Sequence, residues 1–408
     1  MILRLAWRNL WRNPRRTLLQ MLAVAGSLFV AVFFNNLAYG SYRQMIREGV
    51  KAGSGHVGIY HKRYIEERKV EQWFVVGSAA VALEGLPGVS GVFPRLLLTC
   101  LARTSHDGCG AAILGLDVAA EAASHPLLEP RRLVSGTLPA GARQVLVGDR
   151  LAAMLRLEPG RKLVVMFQGA DGEIRSTLFR VSGIVHSGVK QMDAGMIVAD
   201  RKELGEAFGA PDAAHELAIL LDDPVRGGEV RAAIEAGCGL PASTAAFPWE
   251  KAMPQLDGAI RMDRVQFRFM ILILAMIVGL GAANTLLMSV VERTREFGLV
   301  RALGFGPAAV RALVMAEGVM LGLLGMALGT VLGLLATWHA SVHGIDFSSL
   351  MGEAELAGML IDPVIFSGWD HVTTFWFNLG MLAVVAAASL YPAHKALQIG
   401  PAQAMRTF

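Results

Sequence analysis

Long apolar runs alternate with charged breaks along this chain. Four runs carry the pattern: residues 18–37, 269–291, 310–338 and 374–391. About 20 apolar residues, each rising 1.5 Å, cross a hydrocarbon core of about 30 Å, so each run predicts a transmembrane helix. The first run is longer than the apolar part of a signal peptide and no small-residue cleavage site follows it, so a retained span is expected. Tyr42, Met45, Ile46 and Val50 continue helical spacing through residues 39–52, which predicts a helix that carries on beyond the membrane. A second such stalk is expected within 256–291, ahead of the second span.

Residues 53–255 read differently. Their apolar runs are short and their charges evenly scattered, which predicts a separate extramembrane α+β domain. Strands are expected at 55–60, 89–103, 111–116, 216–221 and 243–247. Helices are expected at 78–86, 149–155 and 225–237. A β-rich insert of short strands and turns occupies about 130–210, and a helix from Trp249 leads back towards the membrane.

Composition agrees with a polytopic membrane protein: 53% of the 408 residues are hydrophobic and 18% are charged. The net charge of +4 is informative through its placement and gives no nucleic-acid signal. Residues 339–373 contain no Lys or Arg but hold Asp346, Glu353, Glu355, Asp362 and Asp370. The arginines gather instead in residues 1–17, in 292–308 and in the tail, 392–408. By the positive-inside rule this predicts four spans with both termini cytoplasmic and the large domain outside. Arg4, Arg8, Arg12, Arg15 and Arg16 with Trp7 and Trp11 predict a helix over 1–17 lying at the cytoplasmic surface. The last span is expected to end at Pro392.

The second break is the densest. Glu292, Arg293, Arg295, Glu296 and Arg301 follow an apolar span within ten residues, with Phe297, Leu299, Val300 and Leu303 interleaved. Charges are costly in lipid, so this stretch predicts a short amphipathic helix at the membrane surface, closed by Gly304, Gly306 and Pro307. ERTREFGLVRALG after an N-T-L-L-x-S-V segment resembles the signature of a large class of ABC-transporter permeases, the type VII or mechanotransmitting class. It holds the lipoprotein-releasing, macrolide-exporter and cell-division permeases. The tail YPAHKALQIGPAQAMR resembles the end of the same class. The resemblance implies that 292–308 is the coupling helix that docks on an ATPase, with Glu292, Arg293, Arg295, Glu296, Phe297, Gly298, Arg301 and Gly304 as its coupling residues. QVLVGDRLAAMLRLEPGRKL and VSGIVHSGVKQMDAGMIV resemble stretches of the lipoprotein-releasing branch. The fold implied is four transmembrane helices plus a large α+β periplasmic domain, a ferredoxin-like part with an inserted small β-barrel.

Other candidates have plainer readings. Gly318, Gly322, Gly325, Gly329 and Gly333 recur through the third span and suit close approach of helix backbones, within this chain or against a partner. Glu317, inside that span, and Asn284, in the second, are expected to serve helix packing rather than transport. Gly53-x-Gly55-x-x-Gly58 has the letters of a dinucleotide fingerprint but opens a strand after a helix, the reverse of what that motif requires. His56 and His61 would face opposite sides of a strand. His186, Ser187 and Asp193 can be sketched as a hydrolase triad, yet G-x-S-x-G is absent and structural roles are expected. No metal site is expected. Cys100 and Cys109 flank a hairpin turn and could bridge; Cys238 remains over.

GxxxxGK[ST] does not occur in the sequence, so ATP-Mg and its hydrolysis are expected on a separate ATPase dimer and no cofactor in this chain. The expected protein is a non-enzymatic permease subunit of the bacterial inner membrane. Its implied partners are that ATPase, a second permease copy or paralogue, membrane lipids, and a lipoprotein cargo or periplasmic carrier, with no nucleic acid. Tripartite efflux of drugs or peptides, and a scaffold that regulates a periplasmic cell-wall hydrolase, are the alternatives.

Overall fold

Every apolar run lies inside a helix longer than itself. A computed structural model describes residues 2–237, 240–302, 306–347 and 364–397. In chain order its elements are α1 (Ile2–Leu10), α2 (Pro14–Ala52), β1 (Val57–His61), β2 (Phe74–Val75), α3 (Ala79–Glu84), β3 (Val89–Arg103), β4 (Gly108–Leu116), β5 (Leu133–Gly136), β6 (Gln144–Gly148), α4 (Asp149–Met154), β7 (Lys162–Gln168), β8 (Ile174–Val185), β9 (Met196–Asp200), α5 (Arg201–Phe208), β10 (Ala213–Ala214), β11 (Glu216–Leu221), α6 (Gly227–Gly237), β12 (Thr244–Pro248), α7 (Pro254–Glu292), α8 (Thr294–Ala302), α9 (Pro307–His343) and α10 (His371–Leu397), with short helical turns between. Helices α2, α7, α9 and α10 are each long and apolar enough to cross a membrane. The chain forms two units: a helical one, Met1–Arg43 with Met262–Phe347 and the segment from Val364, and a second built on Gln44–Arg261. The division falls inside α2 and α7, so each of these 39-residue helices holds residues of both units.

In the helical unit the recurring glycines sort by partner. A Cβ on Gly325, Gly329 or Gly333 would meet Val24, Ala25 or Val32 of α2. At Gly329 it would stand 2.4 Å from the Ala25 carbonyl oxygen, so only hydrogen fits there. Gly318 and Gly322 face Ser389 and Val385 of α10 instead. Polar groups tie these helices and α7 as well. Gln20 Nε2 donates to the Ala282 carbonyl (3.2 Å), Asn36 Nδ2 to Thr337 (3.3 Å) and Thr330 to Asn378 (2.6 Å).

Two expectations about helix ends change. The helix expected over 1–17 stops at Leu10, and α2 starts at Pro14, ahead of the first apolar run. Proline at a first helical turn has no amide to leave unpaired, and the Thr17 hydroxyl caps α1 by donating to the Leu10 carbonyl (2.5 Å). Pro392 does not end the last helix, because α10 runs through it to Leu397. One lost backbone bond is tolerated where Ala393 and Ala396 stay buried against neighbouring helices. Asn284, expected to serve helix packing, is exposed on α7.

In the second unit β12-β1-β11-β3 form an antiparallel sheet in that order, with α3 and α6 as its helices. This is the ferredoxin-like part. Ile59, Leu83, Val92, Leu217, Ile219 and Ile234 make its core. The β-rich insert also exists, but it does not close on itself. The ring runs β3-β4-β9-β6-β8-β7 and back to β3. Strand β3 is 15 residues long; Val89–Arg95 pair with β11 and Leu96–Arg103 pair with β4. One strand therefore serves both sheets, and 111–116, expected in the ferredoxin-like part, belongs to the barrel. Leu98, Val147, Leu163, Val165, Phe179 and Ile197 fill it. Cys100 pairs with Ala111 and Cys109 with Ala102, a diagonal offset, and both thiols are free.

Candidate functional site

The break between the second and third spans folds as expected into a short helix, and its surroundings explain its composition. Helix α7 stops at Glu292, where the Thr294 hydroxyl donates to the Val291 carbonyl (2.7 Å). Arg293 fills the single-residue joint to α8. Its Nη1 donates to both oxygens of Glu317 (2.9 and 3.2 Å), its Nε to Glu296 (3.0 Å), and its guanidinium lies over the Phe297 ring. Asn9 of α1 donates to the same Glu317 oxygen (2.6 Å). Glu317 is 5% exposed. A carboxylate taken out of water is tolerated only when paired and hydrogen-bonded, and Arg293 with Asn9 supply both. Glu317 is thus the point at which α1, the α7–α8 joint and α9 are fastened together.

Phe297 completes the lock. It is 2% exposed and packs with Ala6, Val290, Val310, Val314 and Ala393. Helix α1 presents Ala6, Asn9 and Leu10 inward and leaves Leu3, Trp7, Arg4 and Arg8 exposed. Two further ion pairs, Arg12–Glu296 (2.5 Å) and Arg16–Glu292 (2.9 Å), sit at the edge. Exposed pairs of this kind contribute little, about 0–1 kcal/mol each. A polar cavity of about 190 Å³ lies among Asn13, Arg16, Gln20, Ser289 and Glu317.

The expected coupling set therefore divides. Arg293, Phe297 and Gly298 face this chain, and Glu296 is shared at the edge. Glu292 and Arg295 face outward, joined by Leu299, which sequence reasoning left out of the set and which is 63% exposed. Arg295 and Leu299 are four residues apart and share one face of α8. An exposed leucine in a helix whose opposite face is filled was the available signal. Arg301 lies in the last turn of α8, its side chain outside what is described, and Gly304 lies outside the described residues.

A second feature went unseen in the sequence. Arg95, 2% exposed, stands where β3 passes from one sheet to the other. Its Nη2 donates to the Lys51 carbonyl (2.9 Å) and its Nη1 to the Gly53 carbonyl, at the end of α2. Its charge is met by Glu121, itself fully buried, at 2.6 Å. Burial pushes the Glu121 carboxyl up and the neighbouring guanidinium opposes this. A cation on the last carbonyls of a helix also meets the negative end of its dipole. Arg95 thus grips the end of α2. No spacing rule connects residues 51 and 95, so the sequence gives no sign of it. The dinucleotide-like glycines mark this junction: Gly55 turns at φ +71° with its backbone against Ile219.

Residues 17–236 match the MacB-like periplasmic core domain family and residues 268–401 match the FtsX-like permease C-terminal family. Among curated relatives, the lipoprotein-releasing system transmembrane protein LolC of Xylella fastidiosa is 24% identical over 284 residues, 66% of each chain. The alignment thus covers just under two thirds of that relative's length. LolC of Haemophilus influenzae is 23% identical over 345 residues, 81% of each chain. Among solved structures, the periplasmic region of MacB from Actinobacillus actinomycetemcomitans is 13% identical with a TM-score of 0.36, covering 52% of this chain and 98% of that one.

Proposed function

The chain belongs to the family of permeases with a MacB-like periplasmic core domain and an FtsX-like C-terminal part, and from that premise we propose that it is the membrane subunit of an ABC-type complex in the bacterial inner membrane. In this reading α8 is the coupling helix, both termini are cytoplasmic and the second unit is periplasmic. The observation that carries it is the two-sided elbow. One face of α8 is fastened to α1 and α9 through Arg293, Glu317 and Phe297, while Arg295 and Leu299 stay exposed. A partner that pushes on the free face moves a locked cluster, not a loose loop.

The partner is a separate ATPase that holds ATP-Mg, and a second permease copy or paralogue completes the complex. Motion passes from α8 into α7 and from α1 into α2, and both long helices carry it to residues of the periplasmic unit. Arg95 grips the end of α2, so displacement of that helix is delivered to the strand shared by the sheet and the barrel. The cargo is an acylated lipoprotein lifted from the outer leaflet, the reading favoured by the LolC relatives. Exposing an acyl chain costs about 0.8 kcal/mol per CH₂, so the step requires an external energy source. Arg295→Glu tests this. The variant inserts and folds, because Arg295 is exposed, but ATP turnover is expected to lose its dependence on cargo and release to stop. Full release by Arg295→Glu would refute the coupling role.

A further inference from the structure

Strands β6 and β8 run parallel and pair Gly148 with Val185, so Asp149 and His186, the next residues, leave adjacent strand ends side by side. The short helix Lys190–Gly195 brings Asp193 to the same place. Its approach requires Gly148 to lack a side chain, since a Cβ there would stand 2.3 Å from the Asp193 carbonyl oxygen. Asp193 is held rigidly. One carboxylate oxygen accepts the Ser187 amide (2.7 Å), the other the Gly188 amide (3.3 Å), and its side chain is 1% exposed.

His186 Nδ1 then faces two carboxylates, at 2.8 Å from Asp149 Oδ2 and 3.3 Å from Asp193 Oδ2. The three donor atoms lie within 4.8 Å of one another. One imidazole nitrogen carries at most one proton, which serves one of these oxygens well and not both. A cation with bonds of about 2.1 Å holds its donors about 3.0–3.4 Å apart, the scale of the distances here. Among the described residues, Asp149 Oδ1 is also buried without a hydrogen-bond partner. His186 is half-exposed and leaves a way in.

We propose that Asp149, His186 and Asp193 form a binding site for one divalent transition-metal cation, Zn²⁺ by the chemistry of one imidazole and two carboxylates. The amides of Ser187 and Gly188 hold the Asp193 carboxylate in place as outer partners, as ligating carboxylates require. The site clips the ends of two barrel strands to the 190–195 helix. The site differs from the sketched hydrolase triad in using Asp149, 37 residues from His186, while the Ser187 hydroxyl is bonded to the Val189 backbone.

The test uses the untagged full chain in detergent, stripped with chelator and titrated with Co²⁺ and Zn²⁺. The expected result is one saturable site per chain with visible Co²⁺ absorption and a Zn²⁺-dependent rise in unfolding temperature. His186→Ala and Asp149→Asn should each weaken binding by at least about tenfold and abolish the rise. Asp193→Asn also loosens the amide-binding loop, so those two variants decide the matter. No saturable uptake, or uptake unchanged in both variants, would overturn the proposal.

Discussion

Arg293 and Arg295 are the same residue type two positions apart, and they do opposite things. Arg293 sits in the joint ahead of α8 and is drawn into a buried ion pair with Glu317, whereas Arg295, in the first turn of α8, is exposed. The sequence shows that the elbow is charged; it does not show which arginine has a carboxylate waiting 24 residues later. Removing one partner of a buried pair typically costs about 3–5 kcal/mol, because the other is left uncompensated. Glu317→Ala should therefore destabilise the elbow by about 3 kcal/mol, while Glu317→Gln, which keeps an acceptor for Asn9, should cost less. Protease sensitivity at α8 reads this difference.

A second residue-scale expectation concerns acid. His215 is fully buried, stacked on Tyr64, donates Nε2–H to the Val70 carbonyl (2.8 Å) and accepts the Leu97 amide on Nδ1 (3.3 Å). Burial lowers it from 6.5 to about 4, and burial likewise lowers His125. The unfolded chain thus takes a proton near pH 6.5 that the folded chain refuses until about pH 4. Stability is fully present above pH 6.5 and falls through that window, by about 3 kcal/mol from His215. Hydrogen-exchange protection factors of the β11 amides, corrected for the intrinsic pH dependence of exchange, should fall between pH 6.5 and 4, and His215→Gln should flatten that dependence.

Elements were more legible than their ends or partners. Period-two alternation and a length of 15 residues foretold β3 in full, and apolar length alone foretold the four spans. Pro392 misled because a propensity rule was applied where tertiary burial decides. The glycine run was visible, but its partner was not, since small residues announce a close approach without naming the other helix. The structure assigns Gly329 to α2. Gly329→Val places new atoms against the Ala25 backbone, which cannot retreat as a side chain can. The spans should separate, lowering the unfolding temperature of the detergent-solubilised protein, whereas valine at Gly26, with no heavy atom within 4 Å of its Cβ position, should be nearly neutral.

At the scale of the whole molecule, motif order gave the two-unit plan and the ferredoxin-like and barrel parts. The sharing of β3 between them stayed hidden, because pairing β3 with β7, some 60 residues later, is non-local and leaves no periodic trace. That sharing and the Arg95 grip give the proposed coupling a physical route, from α2 into one strand that belongs to both sheets. The central claim is that the free face of α8 receives the ATPase. It is tested most directly by placing a photo-crosslinking residue at Leu299 in native membranes, with the buried Phe297 position as control, and identifying what is captured. An ATP-binding-cassette ATPase is expected to be joined through position 299 and not through 297. Recovery of the protein with no ATPase bound at 299, under conditions where cargo release is active, would contradict it.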